Sequence, residues 1–384
     1  MKAVRLSEQV IRDIECMQPE VIALIKELCA IPAPSHHEEK RAAFIRDWFE
    51  QHGMPAEIDE ALNVLCPMDV EAHEEIVVIM AHTDTVFPDM EPMPLIEREG
   101  KLYCPGVGDD TTNVAAMMML AAYLKDRGCK PNCGVLFVAN SCEEGLGNLK
   151  GCKAIMKRFG SRVKAFISLD GGYSHVCCRA VGSSRYNITA KTRGGHSFAD
   201  FGNRNAIAVL AELIADLYRQ EVPMGTDTHT TYNVGMIEGG TSVNTIAQEA
   251  HMLYEYRSDD AQCLAYMEEQ LQQILNRHES ADAKITLELL GLRPCGQGVN
   301  PEAQKCLEEI CIDGIASYVG AIPQRASGST DCNIPLSMGI PSCCFGVYVG
   351  EGEHTREEWV DIASICPGMK AAASVIMHWF EVGV

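Results

Sequence analysis

Three short, almost wholly apolar runs constrain this chain most. They are residues 75–80 (EIVVIM), 135–140 (VLFVAN) and 163–169 (VKAFISL). Runs of this length, rich in β-branched side chains, predict strands covered on both faces. Between the first two lies NVAAMMMLAAYLKDRG, residues 113–128, a helix stopped by Gly128. Strands that alternate with helices predict an α/β domain with a largely parallel sheet. Ahead of them, residues 19–31 have helical periodicity and "IPAPS" breaks the chain. Ser35 and Glu38 then have the spacing of a capping box, opening a helix through Phe44, Ile45, Trp48 and Phe49. The stripe Met117–Met118–Met119 reads as core packing.

The pattern changes near residue 182. SRYNITAKT (184–192) alternates, with Tyr186, Ile188 and Ala190 on one face, as a half-exposed strand does. A helix follows at 204–219, then TYNVGMI and HMLYEYRS, a helix over 260–276, and KITLELL. That order is β-α-β-β-α-β, the ferredoxin-like split motif. After Pro294 the helix–strand alternation resumes, with a helix near 301–312 and the strand SCCFGVYVG (342–350). The expected organisation is one catalytic α/β domain, residues 1–181 and 293–384, interrupted by a small domain at 182–292.

Composition removes several classes of function. A formal charge of −21 disfavours nucleic acid and anionic membrane as partners. No apolar run reaches the ~18 residues of a membrane span. The charged N-terminus lacks the apolar core of a secretion signal, so a cytoplasmic location is expected. Eighteen cysteines without a CxxC or zinc-finger spacing then read as reduced, mostly buried small hydrophobes. A thiol redox protein is the competing reading of that count.

The strand ends carry the chemistry. EIVVIM runs into His82 and Asp84, VLFVAN into Glu143 and Glu144, VKAFISL into Asp170, and the 342–350 run into His354. Asp109 and Asp110 sit in the loop before the Met-rich helix. In open α/β sheets, ligands bind beyond the carboxyl ends of the strands. Adjacent acids such as Glu143–Glu144 repel one another. They become tolerable when one binds a cation and the other faces the water that cation activates. Imidazole and carboxylate ligands without cysteine suit zinc, with cobalt or manganese as substitutes.

An ordered set of motifs, AHTDTV, GDD, EEGLGNLKG, LDGG, GGHS, GGTSVNTIA, YRS, SGSTD and EHTREEWV, spans residues 81–360. In that order they resemble the co-catalytic zinc peptidases that include peptidase T, carboxypeptidase G, aminoacylase and carnosinase. The resemblance implies a three-layer catalytic domain with an inserted ferredoxin-like lid and dimerisation domain. It implies that His82 and Asp170 bind one metal, Glu144 and His354 the second, and Asp109 both. It makes Glu143 the general base and has Asp84 hold the second nitrogen of His82. The Asp109–Asp110 peptide is expected to be cis. His196 resembles the family's oxyanion donor, reaching a partner's active site across a homodimer. Asn244, Arg257 and Gly328 resemble substrate contacts, with Asp331 in the same loop as Gly328. The sequence departs from the family in having DDTTN where DDKGG is usual.

In the family that these motifs resemble, Asp at this metal position goes with aminopeptidases and dipeptidases and Glu with carboxypeptidases and deacylases. Through Asp170 the resemblance therefore implies short peptides cleaved by an aminopeptidase or dipeptidase. An N-deacylase or carboxypeptidase acting on N-acyl amino acids is the alternative. A non-catalytic metal-binding relative is opposed by the presence of Glu143.

Overall fold

The computed structural model describes residues 2–223 and 228–381. Contacts divide it into two units, Met1–Ala180 with Gln297–Val384, and Val181–Gly296.

The larger unit is built on an eight-stranded sheet among the described residues. Its centre is the strand Ile76–His82, parallel to Gly134–Asn140 on one side and Val163–Ser168 on the other. Ser342–Cys344 extends the parallel set, and His175–Ala180 and Gln324–Gly328 lie beyond it. The antiparallel strands Val64–Met68 and Glu57–Ile58 close the other edge. Every residue of Ile76–His82 and Gly134–Asn140 is buried. Side chains alternate across a strand, so Val77, Ile79 and Ala81 join one hydrophobic core while Ile76, Val78 and Met80 join another. The helix Asn113–Asp126, with Met117, Met118 and Met119, packs into the first core, and Lys150–Phe159 into the second. Helices on both faces of the sheet make three layers.

Three local expectations need correction. The first helix runs from Glu8 to Cys29, because the Ser7 hydroxyl accepts the Val10 N–H and Pro19 is accommodated inside. Ser35 and Glu38 form no capping box. The helix Glu39–Gln51 starts without a side-chain cap, and both side chains turn toward the site described below. The strand expected over 342–350 ends at Cys344. Beyond it the backbone folds against Gly171 so closely that a Cβ on Gly346 would lie 1.5 Å from the Gly171 carbonyl oxygen.

The smaller unit has the strand order Thr230–Gly239, Glu249–Ser258, Gly182–Thr192, Ala283–Arg293, all antiparallel. That 2-3-1-4 order is the ferredoxin-like one. The helices Ala206–Leu217 and Ala261–His278 supply Leu210, Leu213, Leu271 and Ile274 to its own core with Ile188, Met252 and Tyr254. A short ribbon, Gly195–His196 against Thr245–Ile246, projects from the sheet.

Among the described residues no helix is long and apolar enough to cross a membrane. All eighteen cysteines are free thiols, most of them buried. Burial lifts the Cys66, Cys142, Cys177 and Cys178 thiols to about 12, which suits inert packing groups.

Candidate metal centre

In the parallel sheet, His82 is paired with Asn140, and Met80 with Ser168. Neighbouring strands therefore end side by side. Glu143, Glu144 and Asp170 lie within a few residues of those ends. The Asp109–Asp110 peptide is cis.

Two ligand triads result, each with its donor atoms within 4.8 Å of one another. One is His82, Asp109 and Asp170; the other is Asp109, Glu144 and His354. Asp109 belongs to both. His82 Nε2 lies 2.9 Å from Asp109 Oδ1 and 4.0 Å from Asp170 Oδ1. His354 Nε2 lies 3.0 Å from Asp109 Oδ2 and 3.3 Å from Glu144 Oε1. Glu143 is also near, in a third group with His82 and Glu144.

The acids outnumber the cationic groups here, and their titration records it. Burial and the nearby Asp109 and Glu143 charges push Glu144 up to about 8 despite His354. Burial and the Asp109 and Glu143 charges likewise raise Asp170 to about 7, against the opposing pull of His82. Burial disfavours charge on His82, yet Asp110, Asp109 and Asp84 outweigh it and hold its pKa well above the usual value. His354 is raised to about 11 by bonds to Asp109 and Glu144. Burial works against the Asp109 charge, but the two imidazoles hold its carboxyl well below the usual range. Glu144 Oε1 is buried and makes no hydrogen bond of good geometry, with the His354 imidazole beside it at 3.3 Å. Imidazole and carboxylate donors, a shared aspartate and unneutralised buried acid fit divalent cations.

Around these ligands lies a shell of fixed hydrogen bonds. The Asp84 carboxylate is fully buried and accepts the N–H of Glu143 at 2.9 Å, that of Glu144 at 3.0 Å and the Ser35 hydroxyl at 2.6 Å. It thus fixes the backbone of the glutamate pair. The nearest acceptor to His82 Nδ1 is the Asp84 main-chain oxygen at 3.1 Å, with the carboxylate at 3.5 Å. Glu38 accepts the Cys142 N–H at 2.9 Å. Asp110 accepts the His82 N–H at 2.9 Å. Three residues that sequence reasoning did not single out complete the shell. Glu358 accepts the N–H groups of Gly106, Gly108 and Asp109, at 2.5, 2.8 and 2.9 Å. Asn113 donates to Asp110 Oδ1 and the Gly171 carbonyl and accepts from Val347 N–H. It thus joins three segments of the site, and it is the last residue of the unusual DDTTN stretch. Glu353, beside His354, receives the Tyr348 hydroxyl at 3.2 Å.

Gly328 ends an edge strand, where a Cβ would meet Cys177 Sγ at 2.7 Å. Asp331 is buried and bonded by Asn140 Nδ2 at 2.6 Å. In the smaller unit, His196 and Asn244 are brought together, His196 pairing with Thr245 and Ser197 N–H donating to the Asn244 carbonyl. Arg257 stands apart from them, its guanidinium bonded to Glu255 at 3.0 and 3.1 Å. That ion pair is the ordinary structural use of an arginine.

Comparison with known proteins adds an independent line. The family model described as peptidase family M20/M25/M40 matches residues 78–378. An uncharacterized protein, YqjE of Bacillus subtilis, is 24% identical over 373 residues, 91% of this chain and 95% of its own. A succinyl-diaminopimelate desuccinylase of Nitrosomonas europaea is 26% identical over 233 residues, 56% of this chain and 61% of its own. The crystal structure of aminopeptidase PepT from Bacillus cereus superposes with a TM-score of 0.72 at 20% identity, covering 94% of this chain and 98% of that one.

Proposed function

The chain belongs to peptidase family M20/M25/M40, a family of hydrolytic enzymes, and we propose that it cleaves short peptides bearing a free amino terminus. The pair of triads sharing Asp109, with Glu143 alongside, supports metal-dependent hydrolysis, and Asp rather than Glu at position 170 tilts it toward free-amino peptides by the family resemblance. His82 and Asp170 would hold one divalent cation, Glu144 and His354 the other, and Asp109 would bridge them. Zinc suits this donor set, and cobalt or manganese can substitute. Two such ions supply an acidified water and an electrophile for the scissile carbonyl.

The chain's own residues do the rest. Glu143, its backbone pinned by Asp84, takes the proton of the attacking water and returns it to the leaving amine. Asp84 and Glu358 keep the ligand loops from rearranging. His196 donates to the developing oxyanion in the active site of a second copy of the chain, and Asn244 contacts the substrate carbonyl. Arg257 would reach a substrate carboxylate only after giving up Glu255. The homodimer would pair edge strands of the smaller unit, protecting them from other partners.

A second reading, hydrolysis of N-acyl amino acids, is favoured by the desuccinylase relative. One screen separates the two. Dipeptides, tripeptides, their N-acetylated forms and N-acyl amino acids are incubated with the protein and added zinc, cobalt or manganese. Faster turnover of free-amino peptides is the expected outcome; faster turnover of acylated substrates supports the second reading.

A further inference from the structure

A cavity of about 390 Å³ opens beside the metal centre in the larger unit, and Asp170, Phe345, Tyr348, Val349 and Glu353 line it. No lysine or arginine appears among its lining residues. Glu353 is the residue immediately before His354 and is fixed from behind. Tyr348 is 1% exposed, and it packs so tightly on Gly108 that a Cβ there would meet its hydroxyl at 2.6 Å. That hydroxyl donates to Glu353 Oε1 at 3.2 Å. One such bond leaves a carboxylate with further acceptor capacity.

We propose that Glu353 is a specificity-determining residue that receives the α-ammonium group of the substrate. The inference rests on the aminopeptidase or dipeptidase reading and names the group that enforces it. In a peptide cleaved after its first residue, the α-nitrogen lies about 2.5 Å from the scissile carbonyl carbon by standard bond geometry. An acid that binds this nitrogen must therefore border the metal centre itself. Glu353 meets this requirement by lining the same cavity as Asp170. The apolar wall of Phe345 and Val349 leaves room for the first side chain.

The test compares Ala-Ala-Ala with propionyl-Ala-Ala, which differs only by lacking the amino group. Wild type, Glu353→Gln and Glu353→Asp are measured, each with its metal content. The expected result is a ratio of kcat/KM between the two substrates that falls about 10- to 100-fold in Glu353→Gln, the range for a charge-assisted hydrogen bond. The loss should be carried by KM, with partial recovery in Glu353→Asp and two metals retained. An equal loss on both substrates, a loss confined to peptides beginning with Lys or Arg, or a loss of metal would each overturn the proposal. Wild type that prefers the des-amino substrate refutes the aminopeptidase reading instead, a result visible before any variant is made.

Discussion

Glu144 and Glu268 are the same residue type in opposite circumstances. Glu268, in the smaller unit, accepts the hydroxyls of Tyr186 and Tyr256 and the Gln272 amide. Burial raises its pKa, but these donors outweigh burial and leave it below the ordinary glutamate value. Glu144, in the larger unit, is 5% exposed with one oxygen that makes no hydrogen bond of good geometry and faces the His354 imidazole at 3.3 Å, and its pKa is pushed up to about 8. Neutral donors from the chain itself satisfy the first acid. The second has the His354 imidazole beside it, and a cation from outside would complete it. At these two acids, then, the smaller unit satisfies a carboxylate with its own donors, and the larger keeps an electrostatic deficit at its candidate metal centre.

The largest test of that contrast is removal of metal. Protein purified without chelator should carry about two equivalents of divalent metal, as a paired site requires. A chelator should then take hydrolysis to background. Hydrogen exchange should quicken around residues 82–84, 106–113, 141–149 and 353–358, while the strand Glu249–Ser258 keeps its protection. Equal loosening of both units would break the comparison, and activity that survives chelation would remove its basis.

Within that site the proposed roles divide the work between the two adjacent glutamates. Glu143→Gln should retain both metals and lose about 10²–10⁴-fold in kcat, the cost of a missing general base. Glu144→Gln should lose metal first and activity as a consequence. Metal analysis beside steady-state kinetics distinguishes them. Exchanged phenotypes would reverse the assignment.

His196 tests whether the smaller unit also contributes chemistry. His196→Ala should lose about 10²–10³-fold, as for an oxyanion donor. Mixed with Glu143→Ala, it should regain activity, because one site of a hybrid dimer carries both defects and the other neither. Random mixing makes about half the dimers hybrid, so roughly a quarter of all sites recover under two-fold symmetry. No recovery means that His196 acts within its own chain or not at all, and a monomer by sedimentation excludes the shared site.

Much of this contrast is legible in the sequence, and the exceptions have physical causes. The buried strands announce themselves because every residue of 76–82 and 134–140 is inward. The ligand-type residues are legible because they stand just past the carboxyl ends of those apolar runs, where His82, Glu143, Glu144 and Asp170 interrupt the hydrophobic pattern. Ser35 and Glu38 mislead because the same hydroxyl and carboxyl that cap a helix can turn to Asp84 and Cys142 instead, a choice made by tertiary structure. Glu358 is opaque because its partners are backbone groups far along the chain, and Asn113 because two of its three partners, the Gly171 carbonyl and the Val347 N–H, are. The final helix, Ile362–Ile376, contains Pro367 and Gly368, residues that read locally as breakers. Gly368 is needed there because a Cβ would lie 1.9 Å from the Val347 carbonyl oxygen.

The smallest expected effect lies in the smaller unit and is visible through pH. The folded pKa of Glu268 is lowered, so the folded state binds fewer protons there than the unfolded chain does. Its contribution to stability is therefore complete above the unfolded glutamate value and disappears as pH falls through the folded one. Glu268→Gln keeps the shape but gives up the charge, and should cost about 1 kcal/mol near neutrality. In acid the wild-type carboxyl is itself protonated and the two proteins should converge. Hydrogen exchange of the strand Glu249–Ser258 measures this locally. Tryptophan fluorescence serves as the control, because Trp48, Trp359 and Trp379 all lie in the larger unit. A difference that persists unchanged into acid would mean that Glu268 acts by packing rather than by charge. The smaller unit's acid would then no longer be the satisfied counterpart of Glu144.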